Sequence, residues 1–300
     1  MLKVVSDVAI LGAGASGTFA AVRLREDYNL KVTVIEKQDR IGGHTHTYND
    51  PATNKPVDYG VLSFWDYGPA KDFFARLRVE ITPPPPPTGT SIYVDAENAK
   101  NLTGNKDPPF PNVLSSIGIY GNQSEKYNDI LLPGYWNFPS RDAFSKKYGI
   151  DNSFPLIQLI AGVGVGGVKD LPTIYVMAFG FGNPATQGLL QSTTFVPKSG
   201  SNSEIYEKAY ARLKDDTLLS SCVTQAERDD EGVRLVVRDA DGKETLVKAK
   251  QPLVTAAPSI DNLASIDLDD QEAAIFSSST PRLLRVGIIK TSAIPRNFSV

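Results

Sequence analysis

The sequence is poor in the residues that build disulfide frameworks and metal centres. Its 300 residues include one cysteine, Cys222, and two histidines, His44 and His46. A single cysteine cannot form an internal disulfide bond or a cysteine-based zinc site, and two histidines leave little room for a histidine metal centre. We therefore expect no metal site. We expect Cys222 to be an inert side chain on a buried strand.

The sequence also has little excess of charge of either sign. It contains 31 Lys and Arg against 34 Asp and Glu, which gives a formal net charge of -3. Nucleic-acid-binding domains usually carry a clustered basic surface, so we expect no nucleic-acid partner. The hydrophobic fraction of 41% and the charged fraction of 22% are those of an ordinary globular protein.

The hydropathy pattern of the sequence likewise shows no segment typical of a signal peptide or a membrane helix. The first apolar run is interrupted by Asp7 and followed by a glycine-rich turn, unlike the apolar core of a signal peptide. The longest uncharged stretch, residues 171–197, mixes prolines, glycines and amides that a membrane helix would not combine. The sequence therefore predicts a soluble, cytoplasmic protein without a membrane partner.

A glycine-rich turn lies between an apolar run and a helical segment near the start of the chain. Residues 4–11 predict a buried parallel strand and residues 18–26 predict a helix. The glycines between them have the Gly-x-Gly-x-x-Gly spacing, which permits a tight turn, close approach of a pyrophosphate and close packing of helix on strand. The N–H groups at the start of the helix would bind phosphate. The candidate residues are Gly12, Gly14, Ala15, Ser16 and Gly17.

An acidic residue follows the second predicted strand, residues 31–35. Glu36 stands 19 positions after Gly17, where a carboxylate accepts hydrogen bonds from ribose hydroxyls, and Lys37 follows it directly. The strand, helix and strand form a βαβ unit. The sequence therefore predicts an α/β protein whose doubly wound, Rossmann-like domain binds a dinucleotide, with an inserted α+β substrate domain.

A second glycine pair follows the acidic residue within a few positions. Residues 40–47 read Arg-Ile-Gly-Gly-His-Thr-His-Thr, and the amides of such a pair can approach a diphosphate. This run resembles the Arg-x-Gly-Gly-x-x-x-Thr motif of FAD-dependent oxidoreductases of the flavin amine oxidase type. The resemblance implies FAD as the cofactor and disfavours an NAD dehydrogenase. It also implies cofactor or loop contacts by Arg40, Gly42, Gly43, His44 and Thr45, with Arg40 either adding charge or anchoring the loop.

Two later segments extend the resemblance. Residues 57–61 resemble the family's Asp-x-Gly step beside the isoalloxazine ring, which implicates Gly60 and a bulkier residue than usual, Val61. Val223 lies on a predicted strand whose backbone holds the adenine in similar proteins. It is followed by a β-meander with strands at 232–237 and 245–249, and by a buried strand that ends before Pro258.

The resemblance also implies an activity. The Gly-Gly-His-Thr spelling, residues 93–95 and residues 294–295 resemble fungal β-cyclopiazonate dehydrogenase-like flavoproteins. Such proteins remove hydride equivalents from a C–N or C–H bond of a small molecule, here expected to be fairly apolar. Two alternatives stay open: a flavin-binding pseudoenzyme or truncated remnant without turnover, and a flavin-using isomerase.

The catalytic residue is left open by the sequence. The weak candidates for catalysis are Arg285, on an apolar strand predicted over residues 283–289, and Lys290 directly after it; the favoured interpretation of each is an exposed charge. Several aromatic residues could line a substrate cavity or pack in the core; they are Phe64, Trp65, Tyr67, Tyr135, Trp136 and Phe138.

The domain organisation is predicted from these motifs. We expect residues 1–75 and 201–262 to form the FAD-binding domain, and residues 76–200 to form the substrate domain. Residues 263–300 would begin a return into the substrate domain. Because no Gly-Asp pair follows Pro258, we expect the C-terminal part of the family's fold to be missing. The sequence makes no prediction of the oligomeric state.

Overall fold

The computed structural model divides the chain into two compact units. The described residues are 2–66, 68–85, 90–91, 98, 100, 110–125, 146–153, 156–157, 176, 182–191, 193–278, 285–291 and 298–299. The first unit consists of Met1–Leu62, Lys71–Thr82 and Val196–Pro281, and the second of Ser63–Ala70, Pro83–Phe195 and Arg282–Val300. This division differs from the sequence-based boundaries at residues 63–70, which group with the second unit, and at residues 76–82, 196–200 and 263–281, which group with the first.

Helices and strands are interspersed along the described part of the chain. The described helices are α1 (Ala15–Tyr28), α2 (Ala70–Arg76), α3 (Phe110–Ser124), α4 (Asn183–Leu190), α5 (Glu204–Leu213) and α6 (Asp270–Ser277). The described strands are β1 (Leu2–Leu11), β2 (Val32–Ile35), β3 (His46–Asp50), β4 (Lys55–Tyr59), β5 (Phe64–Trp65), β6 (Ile81–Thr82), β7 (Thr90–Ser91), β8 (Thr194–Pro197), β9 (Thr217–Leu218), β10 (Ser221–Asp229), β11 (Gly232–Asp239), β12 (Glu244–Val254) and β13 (Phe298–Ser299).

A six-stranded sheet forms the core of the first unit. Its strand order is β10-β11-β12-β1-β2-β9, and β1 runs parallel to both β12 and β2. All four residues of β2 are buried, as expected for a parallel strand covered on both faces. The predicted α/β architecture with a Rossmann-like βαβ unit is therefore confirmed.

Helices α1 and α5 supply apolar surface to this unit and lie against each other. The buried side of α1 includes Ala21 and Val22, which are fully inaccessible to solvent. On α5 the buried residues include Ile205, Ala209 and Leu213, which are four positions apart and share one helical face. The periodicity of residues 204–213 predicted this helix with the bounds that the structure shows.

One predicted boundary is wrong. Residues 245–249 and 252–257 were expected to form two strands, but β12 is continuous through Pro252. The main-chain N–H of Thr255 donates to the carbonyl of Leu11 on β1. Because main-chain N–H groups along a strand point alternately to its two neighbours, the nitrogen at position 252 faces β11 instead. The pairing with β11 ends at Ala249, so the missing N–H of Pro252 interrupts no ladder bond there.

Two further expectations are corrected by the exposure of the residues concerned. Cys222 is exposed, because it lies on β10, the outermost strand of the sheet, with its side chain on the solvent face. The prediction of an apolar strand over 283–289 is also wrong for its described residues. Residues 285–291 have neither helical nor strand conformation and are exposed.

The second unit has a separate apolar core around α3 and α4. Its buried members include Ile117, Tyr120 and Ala185. Trp65 packs on α4, where a Cβ atom built at Gly188 would lie 2.3 Å from its ring, and Phe64 stacks on Phe195. These two aromatics are therefore packing residues. Tyr67, Tyr135, Trp136, Phe138 and the segments 93–95 and 294–295 lie outside the described residues.

The described helices are short or polar compared with a membrane-spanning helix. None of those that the structure describes combines the length and the apolar character needed to cross a bilayer. Within the uncharged stretch 171–197 the structure describes residues 176, 182–191 and 193–197, which include α4 and β8.

An ion-pair cluster joins β10 to the start of α6. Arg228 pairs with Asp267 (Nε–Oδ1 2.9 Å) and with Glu272 (Nη2–Oε2 2.7 Å). Asp269 and Glu272 form a reciprocal capping box at the helix N-terminus. The hydrogen bond from Arg228, followed by that from the Asp269 N–H, lowers the pKa of Glu272 from 4.5 to about 2.

We expect this cluster to make the stability of the first unit depend on acid pH. Because the folded-state pKa of Glu272 is depressed, its contribution is complete above about pH 4.5 and is lost as the pH falls toward about 2. The urea midpoint of Glu272→Gln should therefore fall less than that of the wild type across this window. Glu231→Gln, in the turn after β10, is the control, and equal pH slopes for all three proteins would contradict the expectation.

Candidate dinucleotide-binding site

The first glycine turn connects β1 to α1 at the carboxyl end of the parallel strands. Gly12 has a φ of +104°, which L residues rarely adopt. A Cβ atom at Gly17 would lie 2.0 Å from the Gly12 carbonyl oxygen, so the helix packs on the turn without space for a side chain. Gly14 is the N-cap and has no side chain to cover the first N–H groups, and Ala15 and Ser16 are exposed. These groups are therefore positioned to bind an anion.

Thr255, which sequence reasoning did not single out, supports this turn. It follows β12, and its Oγ1 lies 2.9 Å from the Gly12 carbonyl oxygen and 3.1 Å from that of Leu11. Its hydroxyl thus donates into the start of the turn. The signal in the sequence was a single polar residue within the apolar run before Pro258.

Glu36 lies immediately after β2, beside the same turn. It is 5% exposed, and its carboxylate accepts the N–H of Ala13 (Oε2, 2.7 Å) and that of Gln38 (Oε1, 2.9 Å). A carboxylate has about four acceptor positions, so these two bonds leave room for ligand hydroxyls. Lys37 is exposed next to it.

The second glycine turn touches the first one, backbone to backbone. Gly42 and Gly43 have φ values of +109° and +53°, and the Gly42 N–H donates to the Ala13 carbonyl at 2.8 Å. A Cβ atom at Gly43 would lie 2.9 Å from the Cα of Gly14. A side chain at Gly43 would push the two turns apart, whereas a Cβ atom at Gly14 would lie 3.9 Å from the Cα of Gly43. The two turns therefore form a cradle in which main-chain groups can face a ligand.

Arg40 anchors the second turn. Its guanidinium donates to the carbonyls of Ile41 (3.1 Å) and Gly43 (2.9 Å), and its Nη2 lies 2.7 Å from Nε2 of His46. Burial, together with the charges of Arg40 and His44, lowers the pKa of His46, which favours the neutral ring that can accept this bond. His44 is exposed. Of the two roles left open for Arg40, its contacts correspond to anchoring the loop.

Helix α5 supports the same turn from behind. The ring of Tyr206 lies 3.0 Å from the position of a Cβ atom at Gly42, and the buried Thr45 hydrogen-bonds to Tyr206. Burial raises the pKa of the Tyr206 hydroxyl despite that bond. Neither Tyr206 nor its support of the turn was predicted from the sequence.

The strand β4 ends at a third glycine in contact with this assembly. Gly60 has a φ of +105°, and a Cβ atom there would lie 2.3 Å from the carbonyl oxygen of His44. The carbonyl of Val61 accepts the side-chain amide of Asn202 at 2.8 Å. Asp58 accepts the main-chain N–H of Asn202, and burial raises the pKa of its carboxyl group. Asn202 was also not predicted from the sequence.

The start of β10 lies next to Glu36. The N–H of Ser221 donates to the main-chain carbonyl of Glu36 at 2.9 Å, and Val223 follows two positions later, just before a break in the strand register. Because main-chain groups alternate along a strand, those of Val223 face the same side as those of Ser221. The assignment of Val223 to the adenine remains a prediction.

The candidate catalytic residues belong to a different unit from the glycine turns. Arg285 and Lys290 belong to the second unit, and both are exposed. Their catalytic assignment stays a prediction. Within the described residues, no group of three or more His, Cys, Asp or Glu side chains is arranged to hold a metal ion.

The fold and its touching glycine turns define a Rossmann-like dinucleotide-binding protein. The family model that matches residues 10–77 is described as an NAD(P)-binding Rossmann-like domain. Solved structures share the fold over 91% of this chain and 63% of theirs: a fatty acid isomerase from P. acnes (TM-score 0.69, 21% identity) and putrescine oxidase bound to putrescine (0.67, 19%).

Relatives identified by sequence similarity indicate a more specific group of proteins than the fold does. The chain is 33% identical to the FAD-dependent oxidoreductase pigF of Monascus ruber, over 98% of this chain and 63% of that protein. It is 29% identical to the β-cyclopiazonate dehydrogenase of Aspergillus flavus, over 98% and 64%. The resemblance indicated by the motifs is therefore confirmed: the chain is homologous along nearly its whole length to fungal FAD-dependent oxidoreductases, and it spans about 63% of their length.

Proposed function

We propose that this chain binds FAD and acts as an FAD-dependent oxidoreductase. The observation that carries the proposal is the buried carboxylate of Glu36, held beside the contact between two glycine turns at the carboxyl end of the parallel strands. The residues present fit a flavin dinucleotide, because the Gly14–Gly43 contact lets main-chain groups face the diphosphate and Glu36 retains acceptor capacity for ribose. The names of the fungal relatives support the same cofactor.

Each part of the site has a binding role in this proposal. Glu36 accepts hydrogen bonds from the ribose hydroxyls, and the uncapped N-terminus of α1 with the two glycine turns binds the diphosphate. The main chain of Val223 is assigned to the adenine, and Gly60 with Val61 to the flavin end. Arg40, Thr45 and Tyr206 support the second turn, and His44, exposed beside it, contacts phosphate or the loop.

The proposed reaction is removal of a hydride equivalent from a C–N or C–H bond of a small, fairly apolar substrate. Bound FAD supplies the two-electron acceptor for this chemistry. The residues of the first unit bind and orient the cofactor, because fixed N–H dipoles lower the free-energy cost of placing a charged diphosphate against the protein. We assign substrate binding to the second unit and leave the catalytic residue unassigned.

The visible spectrum of the purified chain, recorded with added FAD and again after acid precipitation, tests the cofactor. Flavin absorbance that elutes with the protein and passes to the supernatant on precipitation is the expected result, and it would show a non-covalent cofactor. Failure to bind FAD at any concentration would contradict the proposal.

Oxygen consumption or dye reduction with a panel of amines and indole-type compounds then tests turnover. Net oxidation of a compound supports an oxidoreductase. Rearrangement without net oxidation would identify a flavin-using isomerase, and FAD binding without turnover of any compound would favour a pseudoenzyme.

A further inference from the structure

Asn202 connects two segments of the first unit that are far apart in sequence. It lies in the loop before α5 and is fully inaccessible to solvent. Its main-chain N–H donates to both carboxylate oxygens of Asp58, at 3.0 and 2.9 Å, and its side-chain Nδ2 donates to the carbonyl of Val61 at 2.8 Å. One residue therefore holds both sides of Gly60.

The neighbours of Asn202 strengthen the same connection. Thr47 on β3 lies with its Oγ1 2.5 Å from Asp58 Oδ1 and 2.8 Å from the Oγ of Ser203. The hydroxyl of Ser201 donates to Thr47 at 3.1 Å. The loop before α5 is thus bonded to β3 and to the end of β4 by hydrogen bonds that each involve at least one side chain, and the Thr47 hydroxyl bonds to both the loop and Asp58.

The Gly60–Val61 segment is the last in a series of backbone contacts that begins at the first glycine turn. Gly14 touches Gly43, the carbonyl of His44 touches Gly60, and Val61 is bonded to Asn202. Close contacts at glycine limit how near Gly60 can approach the second turn, but with no side chain they contribute only weak dispersion attraction to keep it there. Asn202 supplies the hydrogen bonds that oppose separation.

The side-chain oxygen of Asn202, which accepts no hydrogen bond from the described residues, indicates a role other than stabilising the fold. Among the described residues no donor reaches its Oδ1, although that atom is buried. A buried acceptor without a partner disfavours the folded state, so the residue is a costly way to stabilise a loop. Truncating it would remove this unfavourable acceptor together with the bond to Val61, which is only half-buried and can be rehydrated.

We propose that Asn202 is a positioning residue that holds Asp58 and Val61 so that the Gly60 segment is already ordered against the second glycine turn before the dinucleotide binds. This inference rests on the proposed function, because the ligand that benefits is FAD. Asn202 acts through Asp58 and Val61 and does not itself contact the cofactor. Without it, binding must order this segment, and that ordering opposes association.

The test compares Asn202→Ala with Ser199→Ala in the full chain. Ser199 is a matched control because it lies in the same loop and donates to Glu204 without contacting the Gly60 segment. We expect Asn202→Ala to raise the Kd for FAD about tenfold or more and to speed amide exchange of residues 57–62 without FAD by a similar factor. The melting temperature should change little. At saturating FAD, the visible spectrum of the bound flavin should also differ from that of the wild type.

The outcomes separate this inference from the proposed function. If the wild type binds no FAD, the proposed function fails, while faster exchange confined to residues 57–62 would still show that Asn202 orders the segment. Unchanged exchange and affinity in Asn202→Ala, or exchange raised evenly over the whole unit, would overturn the inference. If Asn202→Ala does not fold, Asp58→Asn weakens the other contact of Asn202, between its main-chain N–H and the Asp58 carboxylate, and should also increase exchange locally at residues 57–62.

Discussion

Replacing Glu36 with alanine is expected to lower the affinity for FAD by roughly a hundredfold to ten-thousandfold. Its carboxylate should accept two charge-assisted hydrogen bonds from ribose, each contributing about 1.5–3 kcal/mol. The substitution also leaves the N–H groups of Ala13 and Gln38, which bond to Glu36, without their acceptor beside the diphosphate turn. FAD titration of the purified variants, followed by visible absorbance or flavin fluorescence, measures this loss.

Cys222→Ser is the control for the Glu36 variant. Cys222 is exposed on the outermost strand of the sheet, so this substitution should leave FAD occupancy unchanged. The melting temperature of each protein without FAD shows whether a loss of affinity merely follows a loss of folding. Equal FAD occupancy of the two variants, purified side by side, would refute the assignment of Glu36.

Replacing Gly17 with alanine is expected to destabilise the first unit by about 3 kcal/mol or more, at the upper end of overpacking effects. The added Cβ would lie 2.0 Å from the Gly12 carbonyl oxygen and 2.7 Å from the Oγ1 of Thr255. The carbonyl is main chain and accepts the Thr255 hydroxyl, so it cannot move aside without displacing α1 from β1. Urea denaturation gives the change, and an insoluble variant would be the extreme form of the same outcome.

Gly118→Ala, in α3, provides the matched comparison for this steric argument. Gly118 is also a helical glycine, but a Cβ atom there meets no atom within 4 Å. Alanine should therefore stabilise that helix by about 0.5–1 kcal/mol through its higher helix propensity. If Gly17→Ala and Gly118→Ala changed the urea midpoint in the same direction, the close packing of α1 on the turn would not be the cause.

The local elements of the first unit could be predicted because their signals lie within short stretches of sequence. The apolar run before Gly12, the periodicity of residues 204–213 and the position of Glu36 after a valine-rich strand each depend on neighbours in the chain. The errors arose where a neighbour in space decided the outcome. Pro252 is accommodated inside β12 because the pairing with β11 ends before it. Cys222 is exposed because its side chain projects from the opposite face of β10 to that of its buried neighbour Ser221.

By itself, the sequence determined the dinucleotide motif, the acid that accompanies it and the second glycine pair, because each is a matter of residue type and spacing. Only the tertiary structure showed that Gly14 and Gly43 touch, that Thr255 bonds to the first turn and that Tyr206 lies behind the second. It also brought Asn202 to Asp58 and Val61, across more than 140 positions of sequence. Such contacts join residues through packing and hydrogen bonds over distances for which the chain has no local pattern.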